Sequence, residues 1–592
     1  MTVETLPHLF LRAVEHHAKR AAFRYRSDGG WVDVSSREVF DRVHNAALGL
    51  RGLNLASGDR VALLSENRLE WAVTDLAILT AGYITVPLYA TLPAGQIEHV
   101  LRDCEARAVV VSDRVQMAKV LECRSRLPHL LHVVAFDPEC GGDGVVTLDS
   151  VIERGRLTTP RPTYEEMIST LARSDWASII YTSGTTGVPK GVILSHGNFV
   201  SNVEACLEVF SLSPGDTCLS FLPLSHTFER TGGFYCMLSA GVTIAYAGSV
   251  DTLSDDMRDV APTVMCAVPR LYEKMYARIM DTVDGSSRMR RSLFHWAVAA
   301  GRRYVDQRLS GSVGVMTRGG RALADALVFK RVRSRTGGRL RFFISGGAPL
   351  SREIAEFFHA AGLPILEGYG LTETSPVITV NTLDHLKFGT VGRPLSGVEI
   401  LIAGDGEILA RGDNVMQGYY KKPEETAAVL VDGWLHTGDI GHIDDDGYLV
   451  ITDRKKDIIV TAGGKKVAPQ AVEGALKRSP YITEAVLVGD RRKFLAALIV
   501  PAFDKLEEFA KTSNVPYGSL EELVASPKVV DLIRAQIDEV CAALAPFEKP
   551  KRFVLVPRDL SIEAGELTPS LKVKRRVLED EYAASIDALY SD

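Results

Sequence analysis

The chain has 592 residues, 46% apolar and 24% charged, which is enough for several domains and a large core in a soluble globular protein. Its net charge of −6 speaks against a protein drawn as a whole to nucleic acid. The eight cysteines (104, 123, 140, 206, 218, 236, 266 and 541) form no Cys-x-x-Cys pair and no Cys/His cluster; this argues against a zinc site or a disulfide framework and fits a reducing, cytoplasmic compartment.

Near the N-terminus, Leu6 to Phe23 carries Glu15, His16, His17, Lys19 and Arg20 among its apolar residues, so no secretory leader is expected. Between residues 35 and 270, helix-like and strand-like segments alternate. Ser35 to Leu50 has helical apolar spacing, Arg60 to Leu64 reads as a strand, Glu70 to Ala81 as a helix, and Tyr83 to Leu88 as a strand. Ala94 to Cys104 then looks helical and Ala108 to Ser112 a buried strand. This alternation predicts layered α/β architecture with mostly parallel strands. The most apolar window, Trp71 to Ala90, holds Asp75 and Pro87 and reads as a core helix and strand rather than a membrane span, so any membrane contact is expected to be peripheral.

Trp176 to Tyr181 is a further apolar run, read as a buried strand. The segment that follows, Tyr181 to Gly191, interleaves Ser183, Thr185 and Thr186 with Gly184 and Gly187, and ends on Lys190. Glycines let backbone N–H groups approach a ligand, hydroxyls add neutral donors, and the lysine adds a point charge. That is the chemistry of a loop that wraps phosphates, although a flexible surface loop has a similar composition. Pro189 before the lysine and Gly191 after it exclude the Walker-type P-loop.

From Arg288 to Arg341 there are fourteen Lys/Arg against two acidic residues, Asp306 and Asp325, with Leu293, Phe294, Trp296, Val298, Leu327, Val328 and Phe329 interleaved. This reads either as a pair of solvated basic helices or as a surface for anionic lipid or another polyanion. Ile344 to Leu350 is a strand running into a glycine turn. In Leu366 to Ser375, Gly368 and Gly370 flank Tyr369: the aromatic could stack a base, and Thr372-Glu373 could serve phosphate and metal, or Tyr369 is a core residue in a turn.

Residues 395 to 451 hold short strands, such as Val398 to Ile402 and Gly406 to Ala410, separated by Gly/Asp turns, which suggests a small β-rich subdomain. Within it Asp439 could hold two ribose hydroxyls or simply make a turn. After Asp453-Arg454-Lys455-Lys456 the pattern restarts, with a helical stretch at 472 to 477 and strands at 484 to 488 and 496 to 500. The expected boundary therefore lies at 453 to 456, between a domain of residues 1–452 and one of residues 457–592.

Taken in order, these motifs resemble the adenylate-forming superfamily over essentially the whole chain. The branch they are most similar to is the long-chain fatty-acid–CoA ligases of bacterial type, through Leu222-Pro-Leu-Ser-His226-Thr-Phe-Glu-Arg230, Gly463-Gly464-Lys-Lys-Val-Ala-Pro469 and Leu567-Thr-Pro-Ser-Leu-Lys572-Val-Lys574-Arg575. The resemblance implies a large N-terminal domain of layered α/β subdomains, hinged to a small mobile α+β C-terminal domain. It also implies a two-step reaction. A fatty carboxylate attacks the α-phosphate of ATP, with Mg2+ bound, to give acyl-AMP and pyrophosphate, and CoA then takes the acyl group and releases AMP. A relative that stops at acyl-AMP and loads a carrier protein, or a ligase for another carboxylic acid, would share the motifs.

By the same resemblance, Thr182, Ser183, Gly184, Thr185, Thr186, Gly187 and Lys190 would hold the β- and γ-phosphates, and Thr182 and Glu373 the magnesium. Gly347, Ala348, Glu367, Gly368 and Tyr369 would form the adenine pocket, Thr372 would meet the α-phosphate, and Asp439 and Arg454 would grip the ribose. Lys572 would unite substrate carboxylate and α-phosphate, with Lys574 its alternate. His226 would stand near the acyl pocket and phosphates, Lys456 would be the hinge, and Gly463 and Gly464 would open the path for CoA. Two departures stand out: Arg230 occupies a position where some members have an aromatic gate to the acyl tunnel, and Leu571 precedes the lysine where many relatives have glycine.

Overall fold

The computed structural model describes residues 3–142, 144–182, 189–249, 251–562, 564–568 and 573–591. The chain divides into two compact units. The first comprises residues 1–401, 409–437 and 443–450; the second comprises 402–408, 438–442 and 451–592.

Two extended sheets organise the first unit. In one, the strands Trp176–Thr182, Ile84–Leu88, Arg60–Leu64, Ala108–Val111, His132–Ala135 and Val145–Thr147 lie side by side and parallel. Lys190–Ser195 and Gly418–Tyr419 extend it antiparallel at the Trp176–Thr182 edge. The inner strands are largely apolar and buried because helices cover both faces of a parallel sheet. The other sheet has nine strands. Its parallel centre runs Ile365–Gly370, Phe342–Ser345, Val264–Ala267, Thr217–Ser220, Thr243–Tyr246 and Phe23–Ser27, with antiparallel strands at both edges.

The helix Leu69–Thr80 has almost no polar face, and nearly all its residues are buried. A helix apolar all round belongs in a core, and this one carries Asp75 into the interior. Ser35 caps the helix Ser36–Arg51 by accepting the Glu38 N–H. That helix packs backbone to backbone on Leu148–Arg156: a Cβ on Gly155 would stand 1.8 Å from the Asn45 carbonyl oxygen, so only glycine permits the approach.

In the second unit, Ile482–Val488, Ala496–Pro501 and Arg552–Leu555 form a three-stranded sheet, antiparallel then parallel. The helices Pro469–Leu476 and Pro527–Val540 cover one face, and Arg575–Glu581 and Ala583–Tyr590 the other. Among the described residues, no helix is long and apolar enough to cross a membrane.

Candidate active site

Lys190 begins a strand because a hairpin closes behind it. Trp176–Thr182 pairs antiparallel with Lys190–Ser195, so that Thr182 faces Lys190 and Tyr181 faces Gly191. The ladder thus fixes both ends of the hydroxyl-rich segment. Ser183, Gly184, Thr185, Thr186 and Gly187 themselves lie outside the described residues.

On its other edge the Lys190 strand pairs with Gly418–Tyr419, and the Tyr420 N–H donates to the Gly191 carbonyl at 2.7 Å. This brings two residues to the lysine that the sequence did not announce. The Lys190 ammonium stands over the Tyr419 ring, 5.0 Å from its centroid, and pairs with the Glu425 carboxylate. The Tyr419 hydroxyl in turn donates to Glu373 Oε1 at 2.9 Å. Burial and the neighbouring Glu373 charge push the Tyr419 hydroxyl well above its ordinary pKa, so it stays a donor.

Glu373 sits in a short turn, Thr372–Thr374, that follows Ile365–Gly370. Gly370 is required there, since a Cβ would come within 1.7 Å of the Pro376 carbonyl oxygen. The adenine-pocket candidates occupy the C-terminal ends of two adjacent parallel strands. Ser345, ending one, pairs with Glu367 on the next, and Gly347 takes the left-handed conformation at φ +82° just beyond. Gly347, Ala348, Glu367, Gly368 and Tyr369 therefore cluster where open α/β sheets place their ligands, outside the carboxyl ends of the strands. Burial pushes the Glu367 carboxyl up to about 8, against a backbone N–H from Leu350 that draws it down.

The His226 segment docks on this turn. The Thr227 and Thr372 hydroxyls are 3.4 Å apart, and Thr231 Oγ1 donates to the Ser375 carbonyl at 2.9 Å. His226 Nδ1 accepts the Phe228 N–H at 3.1 Å, so the neutral ring carries its proton on Nε2. Immediately after comes a π-helical stretch, Glu229–Cys236, of a kind often found at functional sites. Nothing in the residue pattern announces it, because i→i+5 bonding leaves no distinctive apolar period.

Arg230, at the position where some relatives have an aromatic, lies in the core. It is fully buried and paired with Asp75, with Nε 2.9 Å from the Tyr235 hydroxyl and Nη1 2.7 Å from Ser178 Oγ. Its guanidinium also lies over Trp71, Phe199 and Tyr235. The departure from an aromatic at this position is thus a core ion pair joining the helix Leu69–Thr80, the strand Trp176–Thr182 and the π-helical stretch.

In the second unit the two ribose candidates are together: Arg454 Nε lies 3.1 Å from Asp439 Oδ1, and Asp439 is buried. Lys455 pairs with Asp405 and Glu407 at 2.7 and 2.9 Å, and Lys456 follows in a turn. Gly463 and Gly464 form the turn between Ile459–Val460 and Lys466–Val467, with Gly464 at φ +73°. Lys574 donates its backbone N–H to Glu566 at 2.7 Å and leads into the helix Arg575–Glu581. Lys572 lies outside the described residues.

Comparison with known proteins gives a consistent answer. The AMP-binding enzyme family matches residues 10–420, and the AMP-binding enzyme C-terminal domain matches 456–592. The long-chain-fatty-acid–CoA ligase FadD15 of Mycobacterium tuberculosis is 36% identical over 95% of this chain and 93% of its own. The peroxisomal long chain acyl-CoA synthetase 7 of Arabidopsis thaliana is 32% identical over the whole chain and 87% of its own. In fold, the adenylation domain of a Mycobacterium chelonae carboxylate reductase superposes with a TM-score of 0.79 at 24% identity, covering 99% of this chain and 91% of that one.

Matched by these two family models over nearly its whole length, the chain belongs to the AMP-binding enzyme family, a class of adenylate-forming enzymes. Within that family its branch is the long-chain-fatty-acid–CoA ligases.

Proposed function

We propose that this protein activates long-chain fatty acids as CoA thioesters through an acyl-adenylate. A carboxylate oxygen of the acid attacks the α-phosphorus of ATP, the bond to the bridging oxygen breaks, and pyrophosphate leaves with that electron pair. The CoA sulfur then attacks the acyl carbon, AMP leaves, and the thiol proton passes to solvent. The difficulty of the first step is electrostatic, since an anion must close on a polyanion. The groups that matter are cations and donors already aimed at the developing charge.

The chain Lys190–Tyr419–Glu373 is the observation that supports this reading most strongly. It holds a phosphate-clamping lysine and a metal-binding carboxylate in one fixed arrangement, although they come from different sheets. Thr182 and the Ser183–Lys190 segment cradle the β- and γ-phosphates. Gly347, Ala348, Glu367, Gly368 and Tyr369 take the adenine, and Thr372 meets the α-phosphate. The Nε2 proton of His226 is a donor to a carboxylate or phosphate oxygen. Asp439 and Arg454 hold the ribose, Lys572 unites the two reacting anions, Lys456 is the hinge, and Gly463 and Gly464 lie along the pantetheine path.

Thr182 and Glu373 offer oxygen donors only, and among the described residues no group of three or more His, Cys, Asp or Glu could hold a metal alone. That donor set suits Mg2+ carried in largely on substrate phosphates. When bound, the ion would neutralise phosphate charge.

The same reading extends to the surface at 288–341, which rests on a cytoplasmic membrane face where fatty acids partition. The helices Arg288–Leu309 and Val315–Ala324 bury few residues. They and the segment 325–333 that follows expose Trp296, Leu323 and Leu327 as well as Arg303, Arg308, Arg318 and Arg331. Apolar residues among cations are what an anionic bilayer surface binds.

Incubating the purified protein with ATP, Mg2+, CoA and a series of short- to long-chain acids tests the proposal. Acyl-CoA formation favouring long chains is expected; acyl-AMP accumulating with no thioester would contradict it.

A further inference from the structure

The ion pair between Lys190 and Glu425 has no place in the reaction just described, yet the fold builds it with care. Glu425 lies on the helix Pro423–Val429, which begins four residues after the strand Gly418–Tyr419. Thr426 ties that connection down: its Oγ1 accepts the Tyr419 N–H at 2.9 Å and donates to the Lys422 carbonyl at 2.8 Å. Gly418, at φ +141°, is pressed against the same threonine, where a Cβ would stand 2.7 Å from Thr426 Cγ2. The backbone ladder then sets this tied turn against the strand that Lys190 begins. The helix that carries Glu425 is therefore held beside the lysine by main-chain geometry.

The carboxylate is charged at neutral pH. Its hydrogen bond and attraction to Lys190, with a smaller contribution from Lys422 at 3.5 Å, hold it below the usual carboxylate range. The pair is only partly buried, with side-chain exposures of 23% for Lys190 and 37% for Glu425, so it is an equilibrium contact rather than a locked one. An ammonium directs each N–H at one acceptor. A carboxylate oxygen and a phosphate oxygen are alternatives for that N–H, and two anions crowding one cation repel.

We propose that Glu425 is an internal surrogate for the pyrophosphate half of the nucleotide: it exchanges with phosphate for Lys190 when ATP binds and reclaims the lysine as pyrophosphate leaves. The proposal rests on Lys190 being the phosphate clamp. Its consequence is a graded affinity. An anion that takes over the N–H and the charge held by Glu425 displaces it, so binding of ATP and of pyrophosphate is weakened by the same factor, one plus the pair's own equilibrium constant. The returning carboxylate lowers the cost of losing the leaving group. Glu425 is thus a positioning residue that tunes product release and does not touch the reacting atoms.

The test is the inhibition constant of inorganic pyrophosphate against ATP in acyl-CoA formation, measured with KM for ATP in four proteins: the wild type, Glu425→Gln, Lys190→Ala, and the double variant. Glu425→Gln is expected to lower both the pyrophosphate constant and the ATP KM by about two- to fivefold, the range of a partly exposed pair, with Glu425→Ala behaving alike. Lys190→Ala is expected to raise both, and in its background Glu425→Gln should have no effect. If Glu425→Gln leaves the pyrophosphate constant unchanged or raises it while Lys190→Ala raises it, the exchange is refuted and the clamp stands. If Lys190→Ala does not move the constant, clamp and exchange fall together.

Discussion

Arg230 and Glu229, neighbours in sequence, show how differently two buried charges are treated. Arg230 is fully satisfied by Asp75, Tyr235 and Ser178. Removing one partner of such a pair leaves the other charged and dry, which costs about 3–5 kcal/mol. Arg230→Ala is therefore expected to lose stability of that order in chemical denaturation, and replacing both partners by apolar residues, Arg230→Met with Asp75→Leu, far less. Glu229 accepts one bond from Ser220 Oγ at 2.6 Å, and its other oxygen has no partner among the described residues. Burial pushes its carboxyl from an ordinary 4.5 up to about 8. Because the folded state favours the protonated acid, its contribution to stability is whole below the unfolded pKa and is lost as pH rises through about 8. Glu229→Gln keeps the acceptor for Ser220 and removes the titration. Its unfolding free energy, from chemical denaturation, should match the wild type near pH 5 and exceed it at alkaline pH, by on the order of a few kcal/mol. Equal pH dependence in the two proteins would contradict the account. Neither behaviour is legible in Leu222–Arg230 as a sequence: the motif announces a family, but whether an arginine points to a tunnel or a core depends on Asp75 and Trp71, which are far away in the chain.

Among the elements, those with strong local patterns were readable and those defined by partners were not. An apolar β-branched run such as Ala108–Val111 declares itself as a buried strand. Gly418–Tyr419 is two residues long and the helix holding Glu425 is seven, so no period marks them, although they complete the surroundings of Lys190. The turn after Ile365–Gly370 shows what such short pieces must obey. Gly370→Ala would drive a methyl into the Pro376 carbonyl, displacing Thr372 and Glu373. A stability loss of about 1–3 kcal/mol with a raised KM for ATP is expected, and an unchanged KM would show the turn to be indifferent to the nucleotide. The basic helices make a separate prediction. Co-sedimentation with vesicles containing anionic lipid should fall with added salt, and should weaken further on Met316→Asp, since Met316 is 92% exposed. Binding indifferent to salt and to anionic lipid would remove the membrane from the account.

At the scale of the whole molecule, the groups proposed for one reaction fall into two compact units. Lys190, Glu373 and the adenine candidates belong to the first compact unit, while Asp439, Arg454 and the segment approaching Lys572 belong to the second. The alternation of strands and helices made the first unit's layered architecture legible. The interleaving of residues 402–408 and 438–442 with the C-terminal unit was not, because strand partners rather than local composition decide it. Dividing the chemistry between units implies that the two half-reactions draw on different residues. The most direct measurement is pyrophosphate release from ATP and a long-chain acid without CoA, followed by thioester formation from supplied acyl-AMP, in the wild type and Lys572→Ala. The account predicts acid-dependent pyrophosphate release by the wild type, loss of that release by at least about a hundredfold in Lys572→Ala, and thioester formation largely retained by both. No acid-dependent pyrophosphate release by the wild type, or equal loss of both half-reactions in the variant, would contradict it.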